Sequence, residues 1–294
     1  DRGANKVYGM LFGIQGLLQE RYIDLSEYIT NDLDTELLKR TPAAFLGSCR
    51  YKLPEIHENK DVYEKIFSIL EKLDIEAFIY IGGNDSMDTI KKLSDYAIVT
   101  GYRTRFIGCP KTIDNDLALT DHTPGYGSAA KYIGTSVKEI IRDSFCLEYG
   151  KGLVSIVEIM GRNAGWLTGA AALAKGEDCL GPDLIYLPEL PFDIEAFSEK
   201  VKDLLAKKPS VVVAVSEGIR LADGRYVCEL GQSVDFVDAF GHKQLSGTAN
   251  YLAIRLQNPC DRIEHVAALR FPLRFQSRYS RSLSGRRRGS KSCG

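Results

Sequence analysis

The 294-residue sequence lacks long hydrophobic runs. Its longest purely aliphatic stretches, 170–174 and 211–215, are five residues long. A helix needs about 20 apolar residues to span a bilayer. A membrane-spanning protein is therefore excluded, and no segment resembles a signal peptide.

Paired cysteines and grouped histidines are also missing. The seven cysteines are scattered singly without a CxxC pair, and the four histidines show no ligand spacing. This pattern favours reduced thiols over a disulfide framework or a zinc site. We predict a cytoplasmic protein.

Charge is unevenly distributed, although the formal net charge is only -1. Residues 261–294 carry nine basic and two acidic side chains, so the first 260 residues have a net charge of -8. A basic arm could bind nucleic acid or an anionic surface. Because these scattered arginines form no known binding motif, we expect neither a nucleic-acid partner nor a membrane partner.

From about residue 60, helical periodicity alternates with short, continuous apolar runs. Such runs are typical of parallel strands that helices cover on both faces, so the pattern predicts an α/β fold. The predicted strands are 77–81, 104–107, 153–159, 184–187 and 211–215, and the clearest predicted helices are 127–142 and 193–206.

Polar and glycine-rich loops follow several of these strands. In α/β folds, ligands bind at the carboxyl ends of the strands, so we expect these loops to share one cleft. Their sequences are GGNDS (82–86), PKTIDND (110–116), MGRNAG (160–165) and SEG (216–218).

The GGNDS loop lies between a strand and a helix. Its backbone N–H groups and the helix N-terminus could bind a phosphate. An ordinary tight turn remains the alternative. A phosphate beside Asp85 is favourable mainly if Mg²⁺ lies between the two.

The PKTIDND loop contains two carboxylates at an i, i+2 spacing. In an extended loop Asp114 and Asp116 point the same way. One could accept a proton from a substrate hydroxyl, while the other holds a metal ion or tunes the pKa of the first. Lys111 adds a positive charge, and Arg162 in the next loop could bind a phosphate bidentately. The alternatives are an Asx-rich turn and a surface arginine.

Taken in order, the motifs over residues 7–255 resemble those of the phosphofructokinase family. They are VYG, GIQGLL, LGSCR, GGNDS, PKTIDND, TPGYGSAAKY, MGRNAGW and SEG. The resemblance implies a two-lobed α/β fold with a cleft between the lobes. It also implies transfer of a phosphoryl group to the 1-hydroxyl of fructose 6-phosphate, in glycolysis or its reversal.

The resemblance also implies roles for individual residues. Asp114 would be the general base, supported by Asp116, with Lys111 and Arg162 as further catalytic groups. The sugar-phosphate site would be lined by Thr112, Met160, Gly161, Arg162 and Glu217. The phosphoryl donor and Mg²⁺ would be held by Arg50, Gly82, Gly83, Asn84, Asp85, Ser86 and Lys111.

Two positions bear on the donor. ATP-using members carry glycine where this sequence has Asp85 and Lys111, so the chain resembles the pyrophosphate-dependent branch. Asn84 stands where relatives commonly have a metal-binding Asp, which leaves Asp85 as the expected Mg²⁺ ligand. An ATP-dependent enzyme is the alternative within the class, and a catalytically impaired sugar-phosphate-binding fragment is the alternative outside it.

Relatives assemble as dimers or tetramers, so a homo-oligomer is expected. We predict a donor lobe at 1–125 that lacks the family's first strand and glycine loop, a fructose 6-phosphate lobe at 126–256, and a disordered basic tail at 257–294. The first methionine is Met10, so we interpret the chain as N-terminally truncated.

The basic tail is interpreted as the product of a shifted reading frame. Residues 257–271 can be encoded so that reading one nucleotide later gives KTRAIELNTLQRCA, which resembles the family's continuation. The segment RSLSGRRRGSKSCG likewise permits EAYQVGAEAVKAA. Sequencing the DNA across codon 257 tests this interpretation, which fails if neither alternative frame continues the family pattern.

Overall fold

The computed structural model describes residues 6–41, 44–146, 152–231, 247–257 and 263–271. These form α/β units, which confirms the predicted fold class. The chain divides into two compact units, Asp1–Pro110 and Lys111–Leu273. The PKTIDND loop after Pro110 therefore belongs to the second unit, and the predicted functional division at residue 125 stays a prediction.

The first unit contains four strands and five helices among its described residues. The strands are β1 (Tyr8–Met10), β2 (Tyr22–Asp24), β3 (Ala77–Gly82) and β4 (Arg105–Pro110). The helices are α1 (Gly13–Leu18), α2 (Leu25–Tyr28), α3 (Asp32–Arg40), α4 (Lys60–Lys72) and α5 (Asn84–Thr100). β1 pairs with β2 antiparallel, and β3 pairs with β4 parallel.

Helical periodicity explains the core of this unit. Tyr63, Ile66, Phe67 and Leu70 recur at intervals of three and four residues, so they form one buried face of α4. This face packs with α1, α5 and Phe78 of β3. Gly101 follows α5 as its C-cap, with a φ of 76° that glycine adopts readily.

Among its described residues, the second unit contains a four-stranded parallel sheet in the order β6-β7-β5-β8. The strands are β5 (Gly152–Ile159), β6 (Leu184–Tyr186), β7 (Ser210–Ser216) and β8 (Ile263–Phe271). The α-helices are α6 (Tyr126–Cys146), α7 (Trp166–Gly169), α8 (Ile194–Leu205) and α9 (Thr248–Gln257), with two short 3₁₀ helices, Ala170–Ala174 and Val227–Gly231.

Alternating residues of β5 and β7 supply two separate cores. Val154 and Ile156 face the cluster that includes α8 and α9, whereas Val157 and Ile159 face the cluster that includes α6. Both faces of these strands are covered, which explains why their sequences are continuous apolar runs. The predicted strands at 153–159 and 211–215 are confirmed.

Strand β8 corrects one expectation. Residues 257–294 are predicted above to be a disordered tail, but 263–271 lie parallel to β5, and Val266 packs on the α9 side of the sheet. The apolar run Val266–Leu269 is long enough to extend a parallel sheet. The arginine-rich composition around this run suggested a disordered tail instead. Residues 272–294 lie outside the described residues. Within the described part of the chain, no helix is long and apolar enough to cross a membrane.

Candidate active site

The loops after β5 and β7 meet at one edge of the sheet. Ile159 and Ser216, the last residues of the two strands, are register partners. The Glu217 amide donates to the Ile159 carbonyl at 2.9 Å, and the Ser216 hydroxyl donates to the Gly161 carbonyl at 2.5 Å. The predicted convergence of loops is therefore confirmed for MGRNAG and SEG.

Glycines allow the close approach of the two loops and the tight turn of the first. A Cβ on Gly218 would lie 2.0 Å from the Arg162 carbonyl oxygen of the other loop, and one on Gly161 would lie 2.6 Å from the Ala164 carbonyl oxygen of its own loop. Gly161 also has a φ of 149°, and its amide donates to Glu217 Oε1 at 3.4 Å. The two loops thus pack backbone against backbone, with Arg162 and Glu217 half-buried on them.

Neighbouring contacts hold the rest of the MGRNAG loop. The Gly165 amide donates to Glu189 Oε1 at 2.6 Å, and the Arg220 guanidinium donates to Asn163 Oδ1 at 2.7 Å. Half-buried Met160 packs against the α6 side of the sheet. The loop is therefore tied to its surroundings at several points along its length.

The PKTIDND loop is shaped by a buried asparagine that the sequence analysis did not single out. Asn115 has a φ of 59°, its Oδ1 accepts the Thr123 amide at 2.9 Å, and its Nδ2 donates to the Asp121 carbonyl at 3.1 Å. Thr112 Oγ1 accepts the Asp114 amide at 3.0 Å. The tolerance of asparagine for left-handed backbone, in an Asp- and Asn-rich stretch, is the sequence signal that could have identified it.

Asp114 has the electrostatic environment of a proton acceptor. Burial raises the pKa of its carboxyl group, and the charge of Asp116 raises this pKa further. Thr112, Lys111 and Arg162 act in the opposite direction without reversing the shift. Asp114 Oδ1 is buried and has no hydrogen-bond partner, so this oxygen remains available to accept a substrate proton.

The predicted catalytic and sugar-phosphate residues thus all lie in the second unit. The charges of Lys111, Asp116 and Arg162 act on Asp114, while Lys111 and Asp116 themselves are exposed. Hydrogen bonds and close backbone contacts join the Met160–Arg162 segment to Glu217 and Gly218. The role of each residue stays a prediction.

The GGNDS loop lies in the first unit, where it forms the start of α5. Asn84 and Asp85 are exposed in the first helical turn. A Cβ on Gly82 would lie 2.0 Å from Ser86 Oγ, so glycine is needed for the turn to close. The Gly83 carbonyl accepts the Ser86 amide at 3.0 Å.

Tyr80, near the end of β3, is a second residue that sequence reasoning did not identify. Burial raises the pKa of its phenol, and hydrogen bonds from the Ile14 backbone and the Ser86 side chain oppose this shift. The starts of α1 and α5 therefore meet at this hydroxyl. A tyrosine two residues before a glycine pair, in an otherwise apolar run, is the available sequence signal. Arg50 is exposed, and its predicted contact with the donor stays a prediction.

Asp85, the predicted Mg²⁺ ligand, is a single exposed carboxylate at the start of α5. Among the described residues, no three His, Cys, Asp or Glu side chains are grouped as a metal cluster. Mg²⁺ commonly keeps several waters and binds through one or two carboxylates together with substrate phosphates. One exposed carboxylate at a helix N-terminus fits that kind of binding better than an all-protein metal cage.

Comparison with known proteins identifies one family. The phosphofructokinase profile matches residues 1–258. The chain is 43% identical over 252 residues to the Xanthomonas campestris protein named pyrophosphate--fructose 6-phosphate 1-phosphotransferase, covering 86% of this chain and 59% of that protein. Identity falls to 32% over 234 residues with the Erwinia tasmaniensis ATP-dependent 6-phosphofructokinase, covering 79% of this chain and 63% of that protein.

A solved structure gives a similar result. The crystal structure of the pyrophosphate-dependent phosphofructokinase from Nitrosospira multiformis matches with a TM-score of 0.73 and 32% identity. The match covers 90% of this chain and 60% of that one. The chain thus spans about three fifths of the length of these relatives.

Proposed function

The chain belongs to the phosphofructokinase family, and we propose that it transfers a phosphoryl group from pyrophosphate to the 1-hydroxyl of fructose 6-phosphate. The observation that carries this proposal is Asp114, whose carboxyl has a raised pKa and a buried oxygen without a partner. The higher identity to a relative named for pyrophosphate supports the choice of donor.

In the proposed reaction, Asp114 accepts the proton of the sugar 1-hydroxyl. The oxygen of that hydroxyl attacks one phosphorus of pyrophosphate. The bridging P–O bond breaks, and orthophosphate leaves. Phosphoryl transfer depends mainly on positioning and charge neutralisation, because the protein does little covalent chemistry. Lys111 and Arg162 supply positive charge, while Asp116 keeps the pKa of Asp114 raised.

The sugar phosphate is proposed to bind along the loops after β5 and β7 and at Thr112 of the PKTIDND loop. Thr112, Met160, Gly161, Arg162 and Glu217 would line this subsite. The backbone contacts of Gly161 and Gly218 hold these loops before any ligand binds, which lowers the entropy lost on binding. Arg162 offers a planar guanidinium suited to a phosphate.

The donor is proposed to bind at the start of α5, where backbone N–H groups favour an anion. Arg50, Gly82, Gly83, Asn84 and Ser86 would contribute to this subsite. Asp85 would hold Mg²⁺, which neutralises phosphate charge when it is bound. A carboxylate at position 85 and an ammonium at position 111 favour pyrophosphate over a nucleotide, because they replace the glycines of ATP-using relatives.

Two broader properties belong to the same proposal. A homo-oligomer is supported by large apolar side chains exposed on the second unit, namely Trp166, Leu173, Leu180 and Leu190. Light scattering tests this assembly.

A reducing, cytoplasmic setting is supported by the described cysteines, all of which are free thiols. They are Cys49, Cys109, Cys146, Cys179 and Cys228.

A coupled assay with each donor supplied separately tests the function. The full chain receives fructose 6-phosphate, Mg²⁺ and either pyrophosphate or ATP, and aldolase with its coupling enzymes reports fructose 1,6-bisphosphate. We expect turnover with pyrophosphate and none with ATP.

The other outcomes separate the alternatives. Turnover with ATP alone contradicts the proposed donor and supports an ATP-dependent enzyme. No turnover with either donor, together with calorimetric binding of fructose 6-phosphate, supports a sugar-phosphate-binding fragment without catalysis. Absence of both turnover and binding contradicts the proposal altogether.

A further inference from the structure

Glu158 occupies a position in β5 where the strand pattern calls for an apolar residue. Every second residue of this strand faces the core shared with α8 and α9, and Val154 and Ile156 occupy the two preceding positions of that series. Glu158 is the next member and is only 2% exposed. A buried carboxyl group is costly unless polar partners compensate for it, so its contacts need an explanation.

The start of α9 supplies those contacts. Glu158 Oε2 accepts the Ala249 amide at 2.9 Å, and Oε1 accepts the Gly247 amide at 3.4 Å. The first N–H groups of a helix have no partner within the helix. A strand residue 91 positions away in sequence therefore caps α9.

The residue between these two amides extends the connection to the candidate active site. Thr248 is fully buried, and its hydroxyl donates to the Glu217 carbonyl at 3.2 Å. The Glu217 side chain in turn accepts the Gly161 amide. Glu158, the start of α9, Glu217 and Gly161 thus form a continuous series of polar contacts.

We propose that Glu158 is a positioning residue for the sugar-phosphate subsite, acting through α9 and Thr248 on Glu217. This inference rests on the proposed function. By fixing the first turn of α9, Glu158 holds the Glu217 backbone, and with it the carboxyl group that accepts the Gly161 amide. Glu158 itself is buried and touches neither substrate.

The test uses Glu158→Gln in the full chain. Glutamine keeps the size of the side chain, but its NH₂ group cannot accept an amide hydrogen, so one cap bond is lost. We expect the KM for fructose 6-phosphate to rise about tenfold to a hundredfold, from the typical cost of losing a charge-assisted hydrogen bond. The KM for pyrophosphate and kcat should stay within about twofold, because the donor subsite and Asp114 lie outside this series of contacts.

A matched control is Asp193→Asn. Asp193 Oδ1 also accepts two amides at a helix start, those of Glu195 and Ala196 in α8, but Asp193 is exposed and lies outside the contact series. This variant should leave both KM values unchanged. An equal rise of the KM for fructose 6-phosphate in both variants contradicts the inference, and so does an unchanged KM in Glu158→Gln.

Amide hydrogen exchange separates this inference from the proposed function. In Glu158→Gln, exchange at Ala249 and Gly161 should become faster, whereas exchange at Val213 in the sheet core should not change. This result is expected even if the chain turns over neither donor, an outcome that would count against the function alone. Unchanged exchange at Gly161 contradicts the positioning role whatever the activity.

Discussion

Two parallel strand pairs of this chain differ in how they are covered. β5 and β7 are buried on both faces, whereas the β3–β4 pair leaves Ile79, Ile81 and Ile107 exposed by 61%, 68% and 48%. Side chains on both faces fix the covered pair, and the loops that follow it are joined by hydrogen bonds between strands. The described contacts of the loop after β3 are more local: Gly82 and Gly83 contact Ser86, and the Ser86 side chain bonds to Tyr80 of β3.

This difference indicates where chemistry can be organised before a ligand arrives. A catalytic group must be held by packed neighbours if its geometry is to survive without substrate. The second unit provides such neighbours for Asp114 and for the loops after β5 and β7. We therefore expect substitutions there to have the larger effects on activity and on stability.

The largest effect is expected for Asp114→Asn. Loss of a general base slows turnover by about a hundredfold to ten-thousandfold. Affinity for fructose 6-phosphate should change little, because asparagine keeps the shape of the side chain. Steady-state kinetics and calorimetry measure the two quantities. Asp121→Asn is the control, since Asp121 is an exposed carboxylate of the same loop region. A near-normal rate in Asp114→Asn refutes the base assignment.

A core substitution compares the two strand pairs directly. Ile156→Ala removes a fully buried side chain from β5 and should lower the free energy of unfolding by about 2–5 kcal/mol. Ile79→Ala removes an exposed side chain from β3 and should change it by no more than about 0.5 kcal/mol. Urea unfolding measures both variants. Similar losses would show that the β3 face is covered in solution and would remove the contrast.

Asn115→Ala tests the conformation of the PKTIDND loop. It leaves the Thr123 amide and the Asp121 carbonyl without their partner, which costs about 1–3 kcal/mol of unfolding free energy. Alanine also resists the positive φ at this position, so part of the loss is backbone strain. Asn115→Gly relieves the strain without restoring the bonds, and denaturant unfolding should place it between alanine and wild type. If Asn115→Gly is less stable to denaturant than Asn115→Ala, backbone strain does not contribute to the loss.

The smallest effect concerns stability as a function of pH. Folding raises the pKa of Asp114, so this group favours the folded state at low pH, and its contribution is lost as the pH rises through the folded-state pKa. Asp114→Asn should therefore melt at a higher temperature than wild type at pH 7. The difference should shrink as the pH falls toward about 4, the ordinary range of aspartate. A difference that grows on acidification has the wrong sign for a raised pKa.

Much of the fold could be predicted because it depends on local pattern. The apolar run that forms β5 has a period and a length that do not depend on distant residues, and the same is true of the run that forms β7. The GGNDS turn could also be predicted from local sequence, since its glycines and its serine lie within one five-residue segment. The spacing of Asp114 and Asp116 in PKTIDND suggested acid–base chemistry but left an Asx-rich turn open, and the role of each residue stays a prediction.

The contacts that organise the site could not be predicted in this way. Asn115 is bonded to residues six and eight positions away, and Glu158 to one 91 positions away, so neither role is visible in a local window. The hydroxyl of Tyr80 likewise bonds to the Ile14 backbone, which is 66 positions away in the sequence. β8 was not predicted because the high arginine content of the tail indicated disorder, whereas the short apolar run at 266–269 indicates a strand.

One measurement tests the central claim most directly. The full chain is given fructose 6-phosphate, Mg²⁺ and equal amounts of pyrophosphate and ATP, and ³¹P NMR follows every phosphorus species. We predict that the pyrophosphate signal decays while orthophosphate and a new sugar phosphate monoester grow in equal amounts, with the three ATP signals unchanged. Growth of the sugar phosphate at the expense of ATP, with pyrophosphate constant, would contradict this account.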